Sequence, residues 1–176
     1  MYRLRELESR DLAEINLWRN DAELIRNLAA PYRYINLRVD EEWFENYMRS
    51  RSKNVRCAIV DDNDDVIYGL ISLTNIDQLN QCAELHLMIG DMKNRGKGIG
   101  TFAVKEMLHH AFYNLNLHRV ELTSLATNII SHKLYEKCGC QKEGSNRKAV
   151  FKEGEYIDMY VYSILREEFM ELKDDE

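Results

Sequence analysis

Six consecutive residues carry the most specific chemistry in the chain: Arg95-Gly96-Lys97-Gly98-Ile99-Gly100. An apolar run, Leu85 to Ile89, leads into them through a polar turn, Gly90 to Asn94, and a helical pattern follows. This order predicts a strand, a glycine-rich turn and a helix N-terminus. Such a turn presents backbone N–H groups that lack intrahelical partners, at the positive end of the helix dipole. A phosphate or pyrophosphate suits that position. Alternate glycines allow close backbone approach and positive φ. Arg95 and Lys97 add positive charge. Leu87, Met88, Ile89 and Thr101 flank the loop and, with Ile99 inside it, belong to the same candidate site.

Spacing excludes two common phosphate loops. The nucleoside-triphosphate loop needs a glycine where Asp91 stands and Ser or Thr where Gly98 stands. The dinucleotide fingerprint needs a third glycine where Thr101 stands. The pattern that fits is [RQ]-x-x-G-x-[GA]. It resembles the pyrophosphate loop of the GNAT superfamily of acetyl-CoA-dependent N-acetyltransferases.

Two further segments carry that resemblance. Asn128-x-x-Ser131-x-x-Leu134-Tyr135-x-Lys137-x-Gly139 is similar to the superfamily's N-x-x-A-x-x-x-Y-x-x-x-G-F segment, with Cys140 in place of the usual Phe. Gly154-Glu155-Tyr156-Ile157-Asp158 resembles the G-x-Y-x-D ending of the branch that holds ribosomal-protein and spermidine N-acetyltransferases. Trp18-Arg19-Asn20 and Trp43-Phe44 are also usual there. The resemblance implies an α/β (α+β) fold with a mixed, mostly antiparallel sheet of about six to seven strands. That sheet would be splayed at the cofactor site and flanked by helices. It implies acetyl-CoA as acetyl donor, a direct attack by a primary amine, and a homo-oligomer.

Acetyl transfer sets four requirements. The loop from Arg95 to Gly100 would anchor the donor's diphosphate. The backbone of Leu87 to Ile89 would pair with its pantetheine amides as a pseudo-strand. The amine, with a pKa of about 10.4, must lose a proton, and the departing thiolate, about 8.5 on the cysteine reference, benefits from an acid. By the resemblance Tyr135 is the acid; as a plain helix residue it would be a packed core tyrosine. Asn128 would cap its helix, bind pantetheine, or do both. Glu84 is the first base candidate, with the alternative that it faces solvent or orients substrate. His86 shares its face by strand alternation and is the second base or a relay. No cysteine has a base beside it in sequence, so a covalent route is not expected.

The elements that must position these groups read as follows. Tyr2 to Leu7 is a strand. Helices are expected from Arg10 to Trp18, capped by Ser9, from Asp21 to Leu28, and after a cap at Asp40. Arg56–Val60 and Val66–Thr74 form a hairpin around the acidic turn 61–65, which lacks the ligand spacing of an EF-hand loop. Cys82–Ile89 is a strand, Gly100–Asn114 a helix, Leu117–Thr123 a strand and Ile129–Cys138 a helix. Cys140–Gly144 and Glu155–Ile164 are the last strands.

The 176 residues suit one domain, 1–176, with 45% hydrophobic and 31% charged residues and one proline. Net charge is −6 and no basic stripe occurs, which disfavours nucleic acid. No apolar run reaches the roughly 20 residues of a membrane span. Four cysteines without a framework spacing, and no leader-like segment, suggest reduced thiols in the cytoplasm. No metal site is expected. The acceptor is open among a polyamine such as spermidine, a protein N-terminal amine and an amino sugar. Glu41, Glu42 and Glu84 tilt the choice toward a cationic amine. The Tyr32-Arg33-Tyr34 loop and the Trp43 helix are expected to line the acceptor side. An acetyl-CoA-binding sensor without turnover is the non-enzyme alternative.

Overall fold

The structure is a computed structural model that describes residues 1–63, 65–94 and 96–174. Strands β1 (Tyr2–Glu6), β2 (Val55–Asp61), β3 (Ile67–Asp77), β4 (Cys82–Ile89), β5 (Arg119–Leu125), β6 (Gln141–Lys152) and β7 (Glu155–Leu165) form one sheet in the order β1-β2-β3-β4-β5-β7-β6. Every neighbouring pair is antiparallel except β4 and β5. That parallel pair is short. Cys82, Ala83 and Glu84 face Arg119, Val120 and Glu121, and the pairing stops there. Beyond Glu84 the two strands diverge, while β3 follows β4 to Ile89 and β7 follows β5 to Leu125. A gap with two unpaired strand edges therefore opens in mid-sheet, as expected for a splayed sheet.

Helices cover both faces. On one face lie α4 (Ile99–His109), α5 (Ile129–Lys137) and α6 (Arg166–Asp174). Val104, Met107, Leu108, Ala111 and Phe112 recur at three-four spacing and bury against Leu85, Val120, Leu122 and Ile164. The last turn after α4, His110–Asn114, is a π turn in which Leu115 N donates to His110 O. After β7, α6 buries Phe169.

On the other face lie α1 (Leu12–Arg19), α2 (Ala22–Arg26) and α3 (Leu37–Arg49), around Leu7, Ile15, Trp18, Leu24 and Tyr47. Trp18 lies flat on the end of β4. A Cβ on Gly90 would stand 2.0 Å from its ring, so only glycine fits there. Asn20 brackets Ile35, accepting from its N–H at 3.2 Å and donating to its C=O at 2.8 Å.

Three local expectations differ. Ser9 is not a cap: a 3-10 turn, Ser9–Asp11, precedes α1, and Glu8 N donates to the Asp11 carboxylate at 2.8 Å. Asp40 does not start α3 either. Asn36 does, accepting from Val39 N, and Asp40 is fully buried, taking hydrogen bonds from Asn16 and Arg19. Its carboxylate thus ties α3 to α1 instead of terminating a helix. Finally, β6 runs on to Lys152, and the two residues Glu153-Gly154 turn it into β7. Its exposed, polar middle has no hydrophobic alternation to announce it.

Candidate active site

The glycine loop forms one wall of the gap. Gly96 and Gly98 have φ of +77° and +82°, a region that costs other residues about 1–2 kcal/mol. Gly98 caps α4 with no side chain, and Phe102 N is the first donor, reaching Gly98 O at 2.9 Å. The N–H groups of Gly98, Ile99, Gly100 and Thr101 thus have no intrahelical acceptor. Gly100 permits close contact with α5; a Cβ there would meet Leu134 Cδ1 at 2.5 Å. A cleft of about 310 Å³ runs from Gly96, Gly98, Ile99, Gly100 and Thr101 past Leu87 and Ile89 to Asn128 and Tyr135. Lys97 does not form its wall; its ammonium donates to Asn94 Oδ1 at 3.1 Å. Arg95 lies outside the described residues. Met88 points to the opposite face, as strand alternation requires.

That opposite face holds a second cavity, about 400 Å³. It shares Asn27, Leu28, Leu87, Asn128, Ser131 and Tyr135 with the first, so the two meet in the gap between β4 and β5. A larger hollow of about 690 Å³ lies on the outer side of β1 and β2. It contains none of the glycine-loop residues and shares only Arg56 with the second cavity. Topology, not size, singles out the paired cavities.

Register builds the floor of the second cavity. Arg56 faces Ser72, and Ser72 faces His86, giving a straight row across β2, β3 and β4. His86 Nε2 lies 2.9 Å from Thr74 Oγ1 and 3.6 Å from Glu84 Oε2. Its pKa is lowered, chiefly by desolvation; Glu84 opposes the shift and Arg56 assists it. The imidazole is therefore neutral near pH 7, although its side chain keeps 55% exposure along the cavity. Glu84 sits behind His86, accepts from Asn75 Nδ2 at 3.0 Å, and is absent from the described walls of both cavities.

Tyr135 is 6% exposed and reaches both cavities. Burial pushes its phenol well above the ordinary value of 10.0, with Cys140 and Cys138 adding to the effect, so it stays protonated. Among the described residues its hydroxyl has no hydrogen-bond partner, which leaves it free for a ligand atom. Asn128 caps α5 through Ser131 N at 3.2 Å and donates to Asn27 O at 2.9 Å. The four cysteines are free thiols. Burial raises Cys57 to about 11, Cys138 to about 11 and Cys140 to about 12, which leaves each poorly nucleophilic.

The segment Asn27-Leu28-Ala29-Ala30 closes the second cavity. Asn128 holds Asn27, and the buried Lys152 ammonium donates to Ile25 O at 2.9 Å and to Ala30 O. The Tyr32–Tyr34 loop does not form this wall; Tyr34 is 91% exposed and packs edge-on to Tyr32. Trp43 contributes indirectly, with the Arg56 guanidinium 4.9 Å from its ring. Glu41 and Glu42 are exposed and pair with Arg38. Sequence reasoning missed Arg56, Thr74, Lys152 and the segment 27–30. Alternation sets faces only within a strand, so only the register places Arg56 and Ser72 on the face of His86. Among the described residues no cluster suited to a metal ion occurs, and no helix is long and apolar enough to cross a membrane.

Comparison with known proteins agrees with this architecture. Residues 2–141 match the family described as acetyltransferase (GNAT) domain. The chain is 35% identical over 106 residues to the protein named "Putative ribosomal N-acetyltransferase YdaF" of Bacillus subtilis (strain 168), a match spanning 60% of this chain and 57% of that one. It is 27% identical over 168 residues to the spermidine N(1)-acetyltransferase of Vibrio cholerae, covering 95% of this chain and 94% of the relative. The crystal structure of spermidine N-acetyltransferase from Vibrio cholerae in complex with CoA and spermine superposes with a TM-score of 0.89 at 26% identity, covering 96% and 98% of the two chains. With a splayed sheet, a glycine-capped α4 and a family match over most of its length, the chain belongs to the GNAT acetyltransferases.

Proposed function

We propose that the chain transfers the acetyl group of acetyl-CoA to a primary amine by direct attack, the donor lying in the glycine-loop cleft and the acceptor in the cavity on the other face. The observation that carries this reading is the meeting of the two cavities at Tyr135, in the gap between β4 and β5. The residues present suit the donor. Unpaired N–H groups at Gly98 to Thr101 can hold a diphosphate. The free edge of β4, at Leu87 to Ile89, can pair with amides. When bound, the donor supplies an activated thioester.

The chain's own residues manage the protons. At pH 7.4 only about 0.1% of an amine with pKa near 10.4 is unprotonated. The ammonium first gives one proton to solvent, and neutral His86 takes the second from the attacking nitrogen, directly or through one water. With Nε2–H turned toward Thr74 Oγ1 and Glu84, Nδ1 is left as the basic nitrogen. Glu84 then acts through His86 and stabilises the imidazolium. Tyr135, held protonated, donates to the departing sulfur. The new N–C bond replaces the C–S bond: the nitrogen's proton passes to His86, the Tyr135 proton passes to sulfur, and the phenolate regains a proton from solvent as His86 releases its own.

The named relatives support a polyamine such as spermidine as acceptor, or a protein N-terminal amine. An amino sugar is the remaining alternative. The test is thiol release from acetyl-CoA across a panel of polyamines, peptides, amino sugars and small amino acids. Turnover of at least one class is expected. Donor binding without turnover of any amine would favour the sensor reading.

A further inference from the structure

The acceptor cavity is electrostatically unlike the rest of the molecule. The chain carries a net charge of −6, yet no Asp or Glu is among the described residues that line this cavity. Among those described residues the one permanent charge is Arg56. The carboxylates that would suit a polycation are elsewhere: Glu41 and Glu42 pair with Arg38 on the outside of α3, and Glu84 stands behind His86.

Arg56 is held but not neutralised. Its guanidinium lies 4.9 Å from the Trp43 ring and 5.9 Å from the Tyr47 ring. Nη1 reaches Ser72 Oγ at 3.4 Å, a long contact, and Nη2 has no acceptor among the described residues. Nε is the single fully enclosed side-chain polar atom without a partner among the described residues. Among the described residues no carboxylate forms an ion pair with it. A partly buried cation without a counter-charge costs folding free energy, and such groups are ordinarily paired. Cation–π contact with two rings holds the guanidinium, and with Nε enclosed its Nη groups are what it can offer a ligand.

Resting on the acetyl-transfer reading, we propose that the acceptor is a small amine that also carries an acidic group, a carboxylate or a phosphate, and that Arg56 binds that group while the amine reaches His86. The register supports the geometry. Arg56 and His86 are two strands apart in one row, so their Cα atoms are about 10 Å apart. A short chain linking amine and anion bridges what remains once both side chains extend into the cavity. A long polycation would place an ammonium against Arg56.

The experiment compares paired acceptors on the intact protein with saturating acetyl-CoA. 4-Aminobutyrate is set against 4-aminobutyramide, and O-phosphoethanolamine against ethanolamine, with spermidine alongside. At least one anionic member of a pair is expected to exceed its neutral counterpart by about 30-fold or more in kcat/KM, the scale of one desolvated charge pair. Which member does so separates a carboxylate from a phosphate. Arg56→Gln should erase that advantage through KM with kcat retained, and Arg56→Lys should restore part of it. The wild-type pairs keep the test valid if Arg56→Gln fails to fold. Turnover of spermidine or of the neutral amines with no gain from the acidic group, or a preference unchanged in Arg56→Gln, overturns the proposal and leaves acetyl transfer standing. No turnover of any amine removes the acetyl-transfer reading, and this proposal with it.

Discussion

The two halves of the cleft are made from different materials. The donor half is backbone: two glycines at positive φ, four N–H groups without intrahelical acceptors, and the bare edge of β4. The acceptor half is side chains, a row from Arg56 through Ser72 to His86 held by register across three strands. Backbone sites require particular residue types at fixed local spacing. Register sites bring together residues 14 to 16 positions apart, and any strand pair can do so. The donor half therefore fixes the reaction class, and the acceptor half is free to set the substrate.

The largest expected effect falls on the donor half. Gly98→Asp must adopt a φ of +82° and brings a negative charge beside the diphosphate. Acetyl-CoA affinity should fall by about 100-fold or more, measured by calorimetry with circular dichroism unchanged. Affinity within a few-fold of wild type would displace the donor from this loop.

Next in size is His86→Ala, expected to lower kcat by about 10³ with donor affinity kept. The pH profile sharpens this prediction. The His86 pKa is lowered from 6.5, so the neutral, working form persists at pH 7, and kcat/KM falls as pH drops through a value below 6.5. His86→Ala should lose that acid limb. A limb that persists in the variant assigns it to another group.

Tyr135→Phe should reduce kcat by about 10² while the donor Kd changes little, because burial holds the phenol protonated and only its hydroxyl is removed. Equal kcat would leave Tyr135 as packing only. Glu84→Gln should have the smallest effect, up to about fivefold, since its carboxylate is 42% exposed and 3.6 Å from Nε2. A loss as large as that of His86→Ala would make Glu84 the direct base and His86 its support.

The contrast between the halves also describes what was legible in the sequence. The glycine loop, the Asn128 to Gly139 segment and the order of strands and helices were readable, because helix caps, turns and apolar periodicity are local. The sheet and its gap were expected from the resemblance to the family, and the order of elements agrees with them. Asp40 misled because an acidic residue before an apolar stripe imitates a cap; its actual partners, Asn16 and Arg19, lie on another helix. The edge strand β6 was cut short because its middle is polar and exposed. The wall at 27–30 was invisible because it is held in place by Asn128 and Lys152, more than 100 residues away in sequence. Acidic residues were legible as charge but not as position. Glu41 and Glu42 tilted the acceptor toward a cation, yet they lie on the outer surface paired with Arg38.

The division of the cleft can be tested by titrating acetyl-CoA into wild type, Gly98→Asp and His86→Ala in one calorimetric series. The account predicts that Gly98→Asp loses donor binding and that His86→Ala binds the donor as wild type does while failing to turn over. Loss of donor affinity in His86→Ala comparable to that in Gly98→Asp would contradict it, because the two faces of the sheet would then form one donor site.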